Sequence, residues 1–532
     1  MVLVNQKLLI LLFYFFASIT LFAQTNSYII YLANKQGTLG TLDNPTTYLS
    51  SRSIEKKALQ HISLDSTDLP VSKNYIDLLK NEGAEIVYPS KWLNAVCIKA
   101  TPSIYAAILA LPWVKNSAPM YKVSGPPNTQ TITNASQNIN YATNYSDFLG
   151  ITQMHDAGIK GSGILIAITD AGFPGVDTLT AFKHLWTNNQ LVYSYDVADN
   201  ESNVFNDDNH GTYMLSILAG DASNYKSIVP DANYVLLRTE VAATESKLEE
   251  YNWLRAAEIA DSCGVDIISV SLSYTTYDNA SDSYTYADMN GSTSIIARAA
   301  DMAYEKGMLV VCSAGNDGAK TWKYIGTPAD AHNVLAVGSV DANNTKSNFS
   351  SYGPSADGRI KPDICALGTG IYCIKPDGTL FVTGGTSLAT PMIAGILAGI
   401  KQSYPTVSND VLKSLLLQSC DNFSHPTNLK GYGVPYYPNT FAYTSVYSQD
   451  SKFLIAPNPY QSGKLILKVP ESDDEYFIEI FDNQGKLLFN QSIIALNNLI
   501  ELNEFVKTFS QGIYFISIES INARETLKWV KF

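Results

Sequence analysis

GGTSLATPMIAGILAGI, residues 384–400, joins a glycine-rich polar start to a long run of small and apolar residues. The run reads as a buried helix, with Ser387 at its N-terminal end. Serine is favoured as an N-cap because its oxygen accepts a bond from a first-turn N–H, so Ser387 reads as either a cap or a nucleophile. Pro391 is placed in the first turn, where the N–H groups have no helical partner to lose. Gly384 and Gly385 allow the backbone to turn sharply and leave open space beside the serine.

A nucleophilic serine needs a base within hydrogen-bond reach and an acid behind that base. Working outward from 384–400, short apolar runs alternate with helical stretches over about 140–445. The runs include GILIAIT, YVLLR, VDIISVSL, MLVVCSA and NVLAVGS; the helical stretches include LRAAEIADSCG and SIIARAADMAYEKG. This is the pattern of an α/β domain with a mostly parallel sheet. Ligands gather at the carboxyl ends of such strands, and there the runs end in Asp170 and in Gly315 and Asn316. Asp170 reads as a carboxylate emerging at a strand end, or as a turn former. Of six histidines, at 61, 155, 184, 210, 332 and 425, His210 alone precedes Gly and Thr and then apolar residues at helical spacing. It reads as a base at a helix start, or as a polar cap on a loop.

Composition bounds the possibilities. The 532 residues, 46% hydrophobic, suffice for a large core and more than one domain. A net charge of −13 argues against tracking nucleic acid phosphates, which needs a concentrated basic surface. No H-E-x-x-H or clustered histidines suggest a metallohydrolase. The cysteines at 97, 263, 312, 365, 373 and 420 form no C-x-x-C pair. Cys365 and Cys373 are the nearest two; a disulfide framework with open pairing and a set of buried thiols both fit. Residues 1–23 carry Lys7 and then a long apolar run, and read as a secretory signal, with a membrane anchor as the competing reading.

Residues 24–125 order as β-α-β-β-α-β, which suits a ferredoxin-like α+β domain; Thr101, Pro102 and Ser103 supply the start of the second helix. The polar stretch 126–139 reads as a proteolytically accessible linker. The insert 275–294 is rich in Asp, Asn and Tyr and is expected to be a solvated loop. Calcium there through Asp278, Asp282 or Asp288 is conceivable, although no EF-hand spacing occurs. Residues 453–532 read as a small antiparallel β-sandwich.

DAG at 170, HGT at 210, SAGNDG at 313 and GTSLATP at 385 resemble the four signature motifs of subtilisin-like serine proteases. Their order, Asp170, His210, Ser387, is that family's order of acid, base and nucleophile. VPDANYVLLR at 229, SVSLSY at 269 and PDICALGTGIY at 362 extend the resemblance over about 145–440. The resemblance implies a three-layer catalytic domain over 140–445, with Asp170 orienting His210, His210 as general base, Ser387 as nucleophile and Asn316 as oxyanion donor. It implies that Ser271, Leu272 and Ser273 pair with an extended substrate, and that Ser313, Ala314 and Gly315 line the pocket for the residue before the scissile bond. Ala171 stands where many members carry Ser or Thr, Leu388 where methionine is common, and Ser273 where glycine is frequent.

The first domain resembles this family's propeptide, an assistant in folding and an intramolecular inhibitor, with autocleavage expected within 123–139. APNPY at 456, DNQGKLL at 482 and GIYFISI at 512 resemble the C-terminal sorting domain of type IX secretion substrates. A carbohydrate- or protein-binding β-module is the other reading of that segment. Together these imply a secreted or cell-surface endopeptidase made as a zymogen, requiring no cofactor, acting on proteins or peptides and partnered by its own propeptide and the type IX secretion machinery. The competing class is a catalytically silent surface or adhesion protein that keeps the fold.

Overall fold

The computed structural model describes residues 25–120, 144–222, 225–442, 453–456, 465–470, 474–496, 498–510, 512–521 and 524–531. The apolar leader and the stretch 123–139 lie outside the described residues. Two compact units form, and they do not follow chain order: 1–44 joins 64–123, whereas 45–63 joins 124–532.

In the first unit, strands β1 (Asn26–Leu32), β2 (Glu85–Ser90), β3 (Ala95–Ala100) and β4 (Val114–Met120) form an antiparallel sheet in the order β2-β3-β1-β4. This is the order of a split βαβ unit. Helix α1 (Ser51–Leu59) belongs to the second unit, while α2 (Lys73–Asn81) and α3 (Pro102–Leu109) belong to the first. The start signal of α3 works as its residues suggest: the Ile104 amide donates to Thr101 Oγ1 at 3.4 Å, and Pro102 occupies the first turn. Ile30, Leu79, Val96, Ile98 and Ile108 close the core of this unit.

The second unit is built on seven parallel strands: β5 (Leu165–Asp170), β6 (Leu191–Asp196), β7 (Asn233–Arg238), β8 (Ile267–Val270), β9 (Leu309–Ser313), β10 (Leu335–Val340) and β11 (Ile364–Leu367). Their order is β11-β10-β9-β8-β5-β7-β6. Every residue of β5 and of β8 to β11 is buried, because helices cover both faces. Edge strand β6 is the exposed exception. Ile166 and Ile168 of β5 share a core with α4 (His210–Ala219) and α7 (Thr386–Ser403). The alternate residue Thr169 accepts a bond from Trp253 of α5 (Lys247–Cys263) at 3.0 Å. Helix α6 (Ile295–Glu305) packs with α5. Both chain directions away from β5 thus meet at its carboxyl end, where Asp170 lies.

C-terminal to this sheet, Leu454–Ala456, Ile466–Lys468 and Leu499–Glu501 form one antiparallel sheet, and Glu475–Asp482, Leu487–Ile494, Gly512–Glu519 and Arg524–Lys531 form another. Both contribute to one core that includes Tyr476, Ile516 and Trp529. All six cysteines are free thiols, five of them buried. Burial pushes the Cys97 and Cys365 thiols up to about 12, so they pack as small hydrophobes.

The insert 275–294 departs from the expected solvated loop. Tyr277, Tyr284 and Met289 are buried. Both tyrosine hydroxyls donate to Glu250 Oε1 at 2.6 Å, and the Ile296 amide donates to Glu250 Oε2 at 3.1 Å. A carboxylate buried in the first turns of α5 requires such donors, and the tyrosines satisfy it while covering apolar surface. Glu250→Ala should therefore cost about 3 kcal/mol or more, since it strands two buried hydroxyls. Thermal melting together with new proteolytic nicks within 275–294 would show it; an unchanged midpoint would contradict it.

Candidate active site

Asp170 ends β5 and is 0% exposed. His210 is the first residue of α4, where Asp208 Oδ1 accepts from its backbone N–H at 2.8 Å. The two meet side by side: His210 Nδ1 lies 2.9 Å from Asp170 Oδ1 and 3.0 Å from Oδ2. Two glycines make this approach possible. A Cβ on Gly211 would stand 2.3 Å from the Gly172 carbonyl oxygen, and one on Gly172 would stand 2.4 Å from the Asn206 carbonyl oxygen. Either would push the strand end and the helix start apart. The Ala171 amide also donates to Asp170 Oδ1 at 2.8 Å, helping to fix the carboxylate.

Burial of the imidazole pulls the pKa of His210 down, but the charge and hydrogen bond of Asp170, aided by Asp208 and Glu240, outweigh it. The ring therefore titrates above the ordinary histidine value. His332 also faces carboxylates, Asp301 at 3.1 Å and Asp357 at 3.7 Å, but its side chain is 43% exposed. His155 is engaged with the Ile228 carbonyl and His425 with Ser424.

Ser387 is the second residue of α7 and is 8% exposed; the N-cap is Gly385. The serine is therefore not the cap, which corrects one of the two roles considered for it. At this second position its amide has no helical acceptor to serve. Pro391 is likewise displaced from its expected place: it is the sixth helical residue, in the second turn. Without an N–H it cannot serve the Ser387 carbonyl four residues back. Ser271 Oγ supplies the missing donor, at 2.9 Å. We expect Ser271→Ala to lower stability by about 1–2 kcal/mol through loss of this buried bond. It should also lower kcat with little change in KM; a raised KM with unchanged kcat in steady-state kinetics would show that the Ser271 hydroxyl, and not only the backbone of 271–273, serves the substrate.

Asn316 follows β9, and its Oδ1 accepts from the Thr386 amide at 2.9 Å and the Thr386 hydroxyl at 3.1 Å. These bonds fix the amide so that Nδ2 is the free donor end. A Cβ on Gly385 would lie 2.9 Å from Ser387 Oγ and 3.7 Å from Asn316 Nδ2. Glycine there keeps open the space that the serine and the amide share. Thr386 has no place in a reading based on acid, base and nucleophile, and its position directly before Ser387 was the available signal.

Ser313 Oγ donates to the Leu272 carbonyl at 2.8 Å, tying β9 to the segment Ser271–Ser273. The Ser273 hydroxyl fills space that two glycines leave: a Cβ on Gly315 would lie 2.8 Å from it and one on Gly326 2.3 Å. Ala314 is buried between these walls.

The acids of the insert serve the chain itself. Asp278 accepts from the Glu245 amide at 3.0 Å, Asp282 from Asn279 at 3.0 Å, and Asp288 from the amide of the N-cap Thr285 at 2.8 Å. Among the described residues the acids that converge are Glu240, Glu245 and Glu249, with one oxygen each within 4.8 Å of the others. Burial raises all three, to about 7, 8 and 10 respectively, with repulsion from Asp170 adding at Glu240 and repulsion from Glu240 adding at Glu245 and Glu249. Carboxylate oxygens suit a hard cation, but both oxygens of Glu249 already accept backbone amides, from Val241 at 3.0 Å and Ser246 at 3.1 Å.

Three family models match this chain. Residues 161–434 match the subtilase family, 27–138 the peptidase S8 propeptide domain of Bacteroidota, and 454–531 the secretion system C-terminal sorting domain. The chain is 27% identical over 306 residues to the serine protease AprX of Bacillus subtilis (strain 168), a match covering 52% of this chain and 65% of that protein. It is 29% identical over 267 residues to subtilisin DY of Bacillus licheniformis, covering 50% of this chain and 86% of that protein. Thermitase of Thermoactinomyces vulgaris is 29% identical over 271 residues, covering 50% and 84%. The sorting domain marks a secreted or cell-surface protein, and among the described residues no helix is long and apolar enough to cross a membrane. With the subtilase match spanning just over half of its 532 residues, and an acid, a histidine and a helix-borne serine in that family's order, this chain belongs to the subtilase family.

Proposed function

We propose that the chain is a secreted serine endopeptidase that hydrolyses peptide bonds through an acyl-enzyme. The observation that carries this reading is the fully buried Asp170 carboxylate held against His210 Nδ1. That contact fixes the imidazole with its proton on Nδ1, so Nε2 is left as the base. Ser387 Oγ loses its proton to Nε2 as it bonds to the substrate carbonyl carbon. The carbonyl oxygen becomes an oxyanion, received by Asn316 Nδ2 and the Ser387 amide. His210 then gives its proton to the leaving nitrogen, and the C–N bond breaks. Water, deprotonated by the same nitrogen, releases the acid product. Alignment of the electropositive start of α7 with the oxyanion adds to this stabilisation.

Residues 27–138 act as propeptide and intramolecular inhibitor, with cleavage within 123–139 releasing the mature enzyme. The C-terminal domain delivers the protein to the type IX machinery. A substrate strand lies along Ser271–Ser273, and Ser313, Ala314 and Gly315 receive the residue before the scissile bond. These wall residues are small and uncharged, so large uncharged side chains are expected there; a peptide library in which Lys or Asp is preferred would reject this. The direct test of the chemistry is labelling with a fluorophosphonate. A single adduct mapping to Ser387 is expected, and a folded, propeptide-free protein that neither labels nor cleaves casein would leave the silent surface protein as the answer.

A further inference from the structure

Glu240 is a buried carboxylate with no part in the reading of acid, base and nucleophile, yet it joins two parts of the site. It follows Thr239, just past the end of β7, where Arg238 is in register with Asp170. The Thr239 amide donates to the Asp170 carbonyl at 2.9 Å, and the Thr239 carbonyl accepts from Asn252 Nδ2 of α5 at 3.1 Å. The backbone before Glu240 is thereby fixed to the strand end that carries the acid. One oxygen of its side chain accepts from the Thr239 hydroxyl at 2.9 Å and the other from the Tyr274 hydroxyl.

Tyr274 directly follows Ser271–Ser273, the segment read as pairing with an extended substrate, and is 2% exposed. Its backbone bridges to Thr327 in both directions, its amide donating to the Thr327 carbonyl at 2.9 Å and the Thr327 amide donating back at 3.1 Å. The segment before it is held at its start by Ser271 Oγ on the Ser387 carbonyl and in its middle by Ser313 Oγ on the Leu272 carbonyl. At its far end the Tyr274 hydroxyl on Glu240 supplies the side-chain tie.

A buried charged pair or carboxylate adds little net stability over an apolar side chain of similar volume, and its best-attested use is to fix register. Oxygens of Glu245 and Glu249 lie within 4.8 Å, so Glu240 depends on its hydroxyl donors. Without the Tyr274 bond, one oxygen is left buried among other carboxyl groups and the end of the substrate segment loses its link to the strand of the acid.

We propose that Glu240, acting through the Tyr274 hydroxyl, is a positioning residue that holds Ser271–Ser273 in register for pairing with an extended substrate. It touches neither the substrate nor the reacting atoms. The assignment rests on the reading of the chain as an endopeptidase with 271–273 as its substrate edge. A peptide added to a strand edge gains through backbone bonds spaced along several residues, whereas a single residue in the pocket needs only the pocket wall. The tie therefore matters for long substrates and not for short ones.

The processed, propeptide-free enzyme and its variants are assayed on two ethyl esters, one of acetyl-phenylalanine and one of an acetylated tetrapeptide ending in phenylalanine. Tyr274→Phe should raise KM for the tetrapeptide about 10-fold, the size expected for one buried bond to a carboxylate, with kcat within about twofold. For the acetyl-phenylalanine ester both constants should stay within about twofold, because the loss is one of uniform binding along the edge. Glu240→Ala should show the same pattern, and the double variant should be no worse than either single one, since each removes the same bond. Glu240→Gln should restore the tetrapeptide KM: its Oε1 accepts from Tyr274 and its NH₂ donates to the Thr239 hydroxyl. Should Glu240→Ala not fold, Tyr274→Phe and Glu240→Gln decide. An unchanged tetrapeptide KM in folded Tyr274→Phe, equal losses on the two esters, or additive losses in the double variant would overturn the assignment. The rate of fluorophosphonate labelling, which needs no strand edge, separates it from the reading beneath it. Equal labelling of wild type and Tyr274→Phe with an unchanged tetrapeptide KM removes the positioning role alone, and a folded, processed wild type that does not label removes both.

Discussion

Ser387→Ala should abolish measurable peptide hydrolysis while leaving the protein folded. In subtilisin, a member of the same family, loss of the serine or histidine costs about a million-fold in kcat, and the remainder comes from the oxyanion site and binding. A similar residual is expected here, because Asn316, Thr386 and the start of α7 stay in place without the hydroxyl. The alanine also fits the site. Ser387 makes its described contact to Ser271 through its carbonyl, which alanine retains, and alanine is a better helix former than serine. Thermal melting should therefore be unchanged within about 1 kcal/mol, while fluorophosphonate labelling and cleavage within 123–139 both stop. Continued hydrolysis by a folded Ser387→Ala protein would place the nucleophile elsewhere.

The second large effect is expected from Asp170→Asn, with a loss of about 10⁴ in kcat, the size seen when the corresponding acid is amidated in an unrelated serine protease. An asparagine can turn its NH₂ to Nδ1, which moves the ring proton to Nε2 and removes the base. Its pH profile provides the diagnostic. In the wild type, activity should rise with pH as His210 loses its proton, with a midpoint above the ordinary histidine value because Asp170 stabilises the imidazolium. In Asp170→Asn the burial that opposes charge is left without its main counterweight, so the midpoint should move to lower pH. Equal kcat–pH midpoints in the two proteins would show that Asp170 does not set the titration of the base.

The Asp170–His210 contact and the Arg52–Asp266 pair lie at opposite ends of the same strand, β5.

The sequence by itself determined the architecture and pointed to the groups proposed to react. GILIAIT and MLVVCSA are apolar on both faces, and a strand of that kind has few places to go other than the interior of a covered parallel sheet. Residues that end such runs must emerge at one edge, so Asp170 and Asn316 were legible before any coordinates. His210 and Ser387 were legible because glycine and small residues surround them where a helix begins. Tertiary structure decided what depends on distant partners. Pro391 could be accommodated in the second turn because Ser271, 120 positions earlier, donates to the orphaned carbonyl. The tyrosines of 275–294 are buried because Glu250 accepts their hydroxyls. Within RSIEKKAL, residues 52–59, the polar Ser53, Lys56 and Lys57 are buried, because Lys57 meets Asp261 and Lys56 the Val265 carbonyl. Apolar periodicity is a local property of the chain, whereas the partner that makes a buried polar group tolerable is chosen by the fold.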